Sequence, residues 1–433
     1  MNTFSSYSFG CRVNYAEIEA INKQLIQRGY RFDKVNPDVY IINTCSVTHK
    51  AEREAKALIY SLKRKIPGTK IVVTGCAATN WIKTNTKIKG IDYLIDNKNK
   101  DYVADLLEKK FFDQNRLPPK SHKKIDAIDR ALITDKFLAS KRVIVKIQDG
   151  CHRFCTFCIV PYLRGLPKSK TIQEIIQQIQ AYKGYQEAVL TAINTEAFGR
   201  DTKEKFTDLI KEILKSTDIP RISFGSIHPW TLGEEFFTLY KELALSDRFV
   251  DFFHIPLQSG SDKMLNLMKR GYHRKEILEK LQTLKNINEF AQIGTDIIVG
   301  FLEESDTDFE DTLNFLSSSP ITKIHVFRYS QREHTAAFYL GKRLHEPSDN
   351  IKKARSLKLR DLSQKKYQVF QHKHLNTSFE ALFLEKREGE YQQAVLTNNM
   401  IALIKSEKDQ TGEKKRVKIN SCQNGFLVGK ILD

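Results

Sequence analysis

From residue 4 to beyond residue 320, short apolar runs alternate with segments whose apolar residues recur at helical spacing. That alternation restricts most of the chain to an α/β architecture with parallel sheets, because consecutive parallel strands need a long crossover and a helix supplies it. In residues 1–112 the runs at 4–9, 38–43 and 71–75 are separated by one segment with Ile18, Ile21 and Leu25 on a common face. A second segment places Ala55, Leu58, Ile59 and Leu62 together. This reads as a doubly wound parallel sheet. The polar stretch "DQNRLPPKSHKKIDAIDR" follows, with a proline pair and a lysine cluster, and places a linker at 113–135. A surface loop within one domain is the other reading. Residues 136–366 repeat the strand-then-helix unit at 143–147, 187–191, 221–225, 252–257, 295–300 and 323–327, which fits a full or partial (β/α) barrel. Its last helix, 351–366, is basic. In residues 367–433 the helical period gives way to short alternating runs, "FEALFLE", "YQQAVL", "MIALIK" and "GFLVGKIL", the pattern of a small β-barrel. Such barrels bind RNA or serve as packing modules.

No apolar run approaches the roughly 20 residues that span a membrane. The N-terminus lacks a basic segment followed by an apolar one, so no secretory signal is expected and the protein is read as cytoplasmic. Seven cysteines, an odd number, argue against a disulfide framework and for reduced thiols or metal sites. The formal charge of +18 points to a polyanionic partner, nucleic acid foremost, although lysine-rich surfaces also arise from solubility alone.

Three of the cysteines lie in "CHRFCTFC": Cys151, Cys155 and Cys158. They follow the first strand of the barrel region and so belong at its C-terminal mouth, where barrel active sites form. Structural zinc takes four ligands and nothing nearby completes the set; His152 points away when the cysteines point inward. Three thiolates on a four-iron cluster leave one iron open to chelate a small molecule. Cys11, Cys45 and Cys76 each follow a strand of the N-terminal sheet, so all three fall at carboxyl ends that converge on one crevice. Together they make a second three-thiolate site. Cys422 stands alone and reads as an ordinary residue.

These residues carry a resemblance. "GCRVN", "NTCSVT", "VTGC", "QDGCHRFCTFCIVPYLRG", "HIPLQSGSD" and "TDIIVGF" resemble, in order, the radical S-adenosylmethionine (SAM) methylthiotransferases. The resemblance implies an N-terminal flavodoxin-like domain, a central partial (β/α)6 radical-SAM barrel and a C-terminal RNA-binding β-barrel of the TRAM type. It implies two [4Fe-4S] clusters. The one on Cys151, Cys155 and Cys158 would cleave SAM to a 5′-deoxyadenosyl radical; the one on Cys11, Cys45 and Cys76 would hold a sulfur species. "GCRVN", "QDGC" and "HVFRYS" resemble the branch that installs a methylthio group at C2 of N6-threonylcarbamoyladenosine 37, in the anticodon loop of tRNA. Other branches act on isopentenyladenosine 37 or on a ribosomal protein. A rival of another class is a non-catalytic, zinc-containing RNA-binding protein. An electron donor such as flavodoxin or ferredoxin is implied, and the oligomeric state is not legible.

Candidate cofactor contacts are Asn194, Gln258, Ser259, Arg270 and Asp296, at barrel strand ends or in the loops beyond, with Arg164 near the cluster or anchoring its loop. Capping a helix or satisfying a loop backbone is the other reading of each. Lys352, Lys353, Arg355, Lys358 and Arg360, with Lys414, Lys415 and Arg416, are candidate phosphate contacts. The chain departs from the family pattern at Ala192 (usually Gly), Leu302 and Glu303 (usually Pro-Gly), Arg328 (often Pro) and His334 (commonly Gly).

Overall fold

The computed structural model describes residues 3–111, 140–244 and 246–432. The expected linker, 113–135, lies outside the described residues. Strands β1 (Thr3–Ser8), β2 (Arg31–Phe32), β3 (Val39–Thr44), β4 (Lys70–Gly75) and β5 (Tyr93–Leu94) form one sheet, ordered β2-β1-β3-β4-β5 and parallel throughout. That is the flavodoxin-like order, with its switch point between β1 and β3. Helix α1 (Arg12–Gln27) turns Ile18, Ile21 and Leu25 onto one cluster with Phe4, Val39 and Ile41. Helix α2 (His49–Lys65) packs Ala55, Ile59 and Leu62 with Ile42, Ile71, Val73 and Trp81 in another. Each such fully buried Ile or Leu contributes about 1.5–3 kcal/mol. Two short helices complete this region, α3 (Cys76–Lys83) and α4 (Val103–Phe111). The two-residue edge strands β2 and β5 have too few residues to leave a periodic trace in the sequence.

The central region builds a curved wall from β6 (Arg142–Asp149), β8 (Glu187–Ala192), β9 (Arg221–Phe224), β10 (Phe252–His254), β11 (Gln292–Val299) and β12 (Lys323–Arg328). Neighbours run parallel, apart from β7 (Lys168–Ser169), which pairs antiparallel with β6. The arcs β6-β8-β9 and β10-β11-β12 join where Ile222 N–H donates to Arg248 O and Val250 N–H donates to Ile222 O, at 2.8 and 2.9 Å. The result is the expected partial barrel of six parallel strands. Its core runs from Val145 and Leu190 through Phe224 and Phe253 to Ile297 and Ile324.

The helix at the end of this region spans Asp349–His372, continuing past residue 366. Beyond it β13 (Ser378–Glu388), β14 (Tyr391–Leu396), β15 (Ile401–Lys405), β16 (Lys414–Gln423) and β17 (Phe426–Ile431) close into a barrel ordered β13-β14-β15-β17-β16, consistent with a TRAM module. This small barrel sits at the strand-start end of the large one. There Asp251 N–H donates to Thr397 O at 2.8 Å, and Arg221 reaches Val395 O. At the same end Glu187 is buried between Arg142 and Arg221 and accepts from Ser223.

Two candidate phosphate contacts are corrected here. Lys352 and Arg355 are each 5% exposed. Lys352 pairs with Glu346, and Arg355 binds Glu304 at 2.6 Å and Asp306 at 2.8 Å. Both are buried because both are paired, and Arg355 ties the long helix to the barrel region through Glu304 and Asp306. Lys353, Lys358, Arg360 and Arg416 remain exposed, and Lys414 pairs with Glu380.

Candidate active site

The N-terminal trio is a product of topology. Cys11 is the N-cap of α1, Cys45 follows β3 and Cys76 opens α3 directly after β4. β1, β3 and β4 are neighbours, so the three thiols share one end of the sheet, with Cys11 and Cys45 on either side of the switch point. The N-termini of α1 and α3 offer positive dipole ends and free N–H groups to this spot, which favours thiolates. Gly10, at φ +94°, makes the approach possible: a Cβ there would lie 2.6 Å from Cys45 Cβ and 3.0 Å from its Sγ. Burial pushes the Cys45 thiol up to about 12, with further upward pressure from Cys76 and Cys11. Cys11 is raised by burial too, against the pull of Arg164.

The second trio is local. Cys151, Cys155 and Cys158 lie on the loop between β6 and helix α5 (Val160–Arg164). Gly150 (φ +72°) lets the loop double back, since a Cβ would meet Leu166 O at 2.2 Å. Burial, then Cys155, pushes Cys158 up to about 12. Cys155 accepts from Arg270 Nη1–H at 3.1 Å, and Cys151 from Asn194 Nδ2–H at 3.7 Å and Arg153 N–H at 3.5 Å. His152 faces Glu196 at 3.5 Å.

The two trios meet. Cys76 packs against Ile159 and Leu163, which flank and line α5. Asn97 Nδ2–H donates to both Cys76 Sγ (3.7 Å) and Leu163 O (3.1 Å). Arg164, its side chain 1% exposed, donates to Asn14 Oδ1 at 2.7 Å and to Glu17 and Asp149, each at 2.8 Å. Asn14 Oδ1 in turn lies 3.8 Å from Cys11 Sγ, and Asp149 accepts from Gly150 N–H at 2.8 Å, one residue before Cys151. A hydrogen-bonded bridge thus runs from one trio to the other. Lys100 and Lys146 also bind Glu17, at 2.6 and 3.1 Å. Burial disfavours the Glu17 carboxylate, but Arg164, Lys100 and Lys146 outweigh it and hold the carboxyl well below its ordinary range. The bridge has two carboxylates and three cations, which suits an anionic group beside the thiols.

The donor sets fit iron–sulfur clusters. Cys45, Cys76 and Cys155 are buried, Cys151 and Cys158 half-buried and Cys11 exposed; soft thiolates select iron–sulfur clusters or zinc. Among the described residues, no three His, Cys, Asp or Glu side chains gather as a single metal ion requires.

The other candidates divide. Arg270 is 4% exposed, braced by Tyr272 Oη at 2.9 Å and Pro256 O at 2.6 Å, and lies over Trp230. Asn194 caps the short turn Thr195–Ala197 while reaching Cys151. Gln258 has φ +81° and bridges β10 to β11 through its backbone. The Ser259 hydroxyl is committed to Thr312 and to Ser261 N–H. Asp296 faces the barrel lumen with His254 at 3.1 Å, and His325, directly across the register, rests 5.4 Å from the His254 ring. Sequence reasoning passed over Glu17, Lys100, Lys146, Asp149, His254 and His325. A lysine inside the apolar run "VIVKIQ" was the available signal for the bridge.

Residues 145–316 match the Radical SAM superfamily, and residues 3–96 match the Uncharacterized protein family UPF0004. The chain is 33% identical over 416 residues to the threonylcarbamoyladenosine tRNA methylthiotransferase MtaB of Aquifex aeolicus (strain VF5), covering 95% of this chain and 98% of that protein. The chain belongs to the radical-SAM methylthiotransferase family. The protein of the same name from Bacillus subtilis (strain 168) is 32% identical, covering 100% of this chain and 97% of the relative. A tRNA-2-methylthio-N(6)-dimethylallyladenosine synthase of Syntrophus aciditrophicus (strain SB) is also 32% identical, covering 78% and 75%. In fold, the chain resembles the radical S-adenosylmethionine methyltransferase TsrM of Kitasatospora setae, with TM-score 0.53 and 11% identity, over 76% of this chain and 72% of that one. The protein is therefore a radical-SAM transferase, and SAM and iron–sulfur chemistry come with that family. No helix among the described residues is long and apolar enough to cross a membrane.

Proposed function

We propose that this enzyme installs a methylthio group at C2 of N6-threonylcarbamoyladenosine 37 of tRNA, using two [4Fe-4S] clusters and SAM. The observation that carries this reading is the meeting of two cysteine trios across one hydrogen-bonded bridge. When bound, the clusters and SAM supply one-electron cleavage at one site and a sulfur species at the other. The chain's own residues then have distinct tasks. Cys151, Cys155 and Cys158 would hold one cluster, and Cys11, Cys45 and Cys76 would hold the second. Arg270 and Asn194 donate to ligand sulfurs and so orient that loop. Arg164 and Glu17 hold both sites in a fixed relation, so one base addresses both. Gln258 and Asp296 line the wall that a cofactor or base enters. The base leaves its stack in the anticodon loop, at a cost of a few kcal/mol.

The net charge of +18 supports a tRNA partner. Binding then weakens steeply with added salt, and a flat response contradicts that part of the reading. The enzyme acts where tRNA is, in the cytoplasm, and draws electrons from a flavodoxin or ferredoxin type of donor.

A second reading, isopentenyladenosine 37 as substrate, is favoured by the relative named as a dimethylallyladenosine synthase. Nucleoside mass spectrometry decides between them. Expressing this chain in cells that lack both activities yields methylthio-threonylcarbamoyladenosine on the first reading. The methylthio-isopentenyl product alone supports the second, and neither product overturns the proposal.

A further inference from the structure

The loop carrying Cys151, Cys155 and Cys158 contains one residue whose conformation the thiols do not explain. Phe154 occupies the left-handed region at φ +46°. For a bulky side chain that conformation costs about 1–2 kcal/mol, and glycine or asparagine would make the same turn more cheaply. Burial does not offset this, because the Phe154 side chain is 44% exposed. Beside it lies Tyr162 of α5, 38% exposed, with ring centroids 5.8 Å apart and planes at 86°. Folding alone accounts for neither ring being left open to solvent.

Their position is informative. Phe154 lies between two ligands of one trio, and Tyr162 lies on the helix that packs against Cys76 of the other. Lys83 borders the pair, donating to Tyr162 O, whereas the neighbouring Arg153 turns its guanidinium to Trp230 at 4.2 Å and Glu196 at 3.3 Å. An edge-to-face aromatic pair with a lysine beside it, on a chain of net charge +18, fits a planar π-system attached to a polyanion.

We infer that Phe154 and Tyr162 form a stacking platform for a splayed nucleobase of the RNA substrate. This rests on the RNA-modifying reading above and extends it to a binding surface at the mouth of the barrel. Bases of single-stranded loops stack on Phe and Tyr without regard to sequence. The platform therefore secures the loop, while recognition of the reacting base is left to the lumen.

The test uses the full-length, anaerobically reconstituted protein and anticodon stem-loop RNAs carrying 2-aminopurine at the 5′ or the 3′ neighbour of the adenosine 3′ of the anticodon. Wild-type protein quenches one of these probes by stacking. Phe154→Ala loses the quench and weakens binding about tenfold or more, the range for one stacked base. Phe154→Trp restores both. The salt slope stays at the wild-type value, because no phosphate contact is removed. Iron content and the visible spectrum remain those of wild type. If Phe154→Ala loses iron, Tyr162→Ala, outside the ligand loop, decides by the same readouts.

Wild-type affinity and quenching in iron-replete Phe154→Ala and Tyr162→Ala overturn the platform. The same result with methylthiolated product still formed leaves the enzyme's assignment intact. Wild-type protein that binds neither RNA removes both. Capture of a protein ligand by the exposed rings, with RNA binding unaffected, also overturns the platform.

Discussion

The two cysteine trios reach similar arrangements by opposite means. Cys151, Cys155 and Cys158 come from eight consecutive residues, so a single loop conformation assembles them. Cys11, Cys45 and Cys76 come from three loops spread over 66 residues and meet only because β1, β3 and β4 are neighbours in a parallel sheet. The first site is a property of a motif, the second a property of a strand order. The loop trio therefore tolerates changes elsewhere in the fold, whereas the sheet trio depends on register, on Gly10 and on the bridge through Arg164.

The largest expected effect separates the two sites by chemistry. Cys155→Ala abolishes both 5′-deoxyadenosine and methylthio product. Cys45→Ala keeps SAM cleavage and loses only the methylthio product, as read by mass spectrometry of both species. Equal loss of both products in the two variants breaks the division of labour. Next in size is the bridge. Arg164→Ala leaves Glu17 and Asp149 facing each other without their guanidinium and destabilises the protein by about 3–5 kcal/mol in denaturant unfolding. Arg164→Lys loses less, because a lysine keeps the charge and not the fork.

The strand-start end of the barrel serves as a control distant from both trios. Burial there raises the Asp251 carboxyl from 3.8 to about 7, although Tyr240 and Asn288 pull it down. The folded state then holds a proton that the unfolded state releases. The stability this contributes is fully present below pH 4 and is lost as pH rises through about 7. Asp251→Asn flattens that dependence, worth about 2–4 kcal/mol in unfolding free energy between pH 4 and 7.5, and leaves iron content unchanged. The smallest effect is at His334, exposed and at φ +68°. His334→Gly raises stability by about 0.5–1 kcal/mol, the relief of the left-handed conformation less the added freedom of the unfolded chain.

Much of this was legible in the sequence because it was periodic or clustered. The longer strands of both parallel sheets showed as apolar runs, unlike β2 and β5, and the grouping of Cys11, Cys45 and Cys76 followed from placing each after a strand. What escaped depended on partners distant in the chain. Lys352 and Arg355 read as a free basic face, since Glu304 and Asp306, about 50 residues earlier, gave no local sign of pairing with Arg355. Glu17 looked like one more polar residue of an amphipathic helix until Lys100, Lys146 and Arg164 converged on it. His254, Asp296 and His325 lie on three separate strands, and only the register brings them to one wall. Glu303 and His334, two of the departures from the expected family pattern, both have positive φ, at +57° and +68°.

The central claim is that each trio holds its own four-iron cluster. Iron analysis with Mössbauer spectroscopy, on anaerobically reconstituted wild type and on Cys11→Ala/Cys45→Ala/Cys76→Ala, tests it most directly. The account predicts about eight irons per chain in the wild type and about four in the triple variant, all in cubane clusters. About four irons in both proteins, or zinc in place of iron, would contradict it.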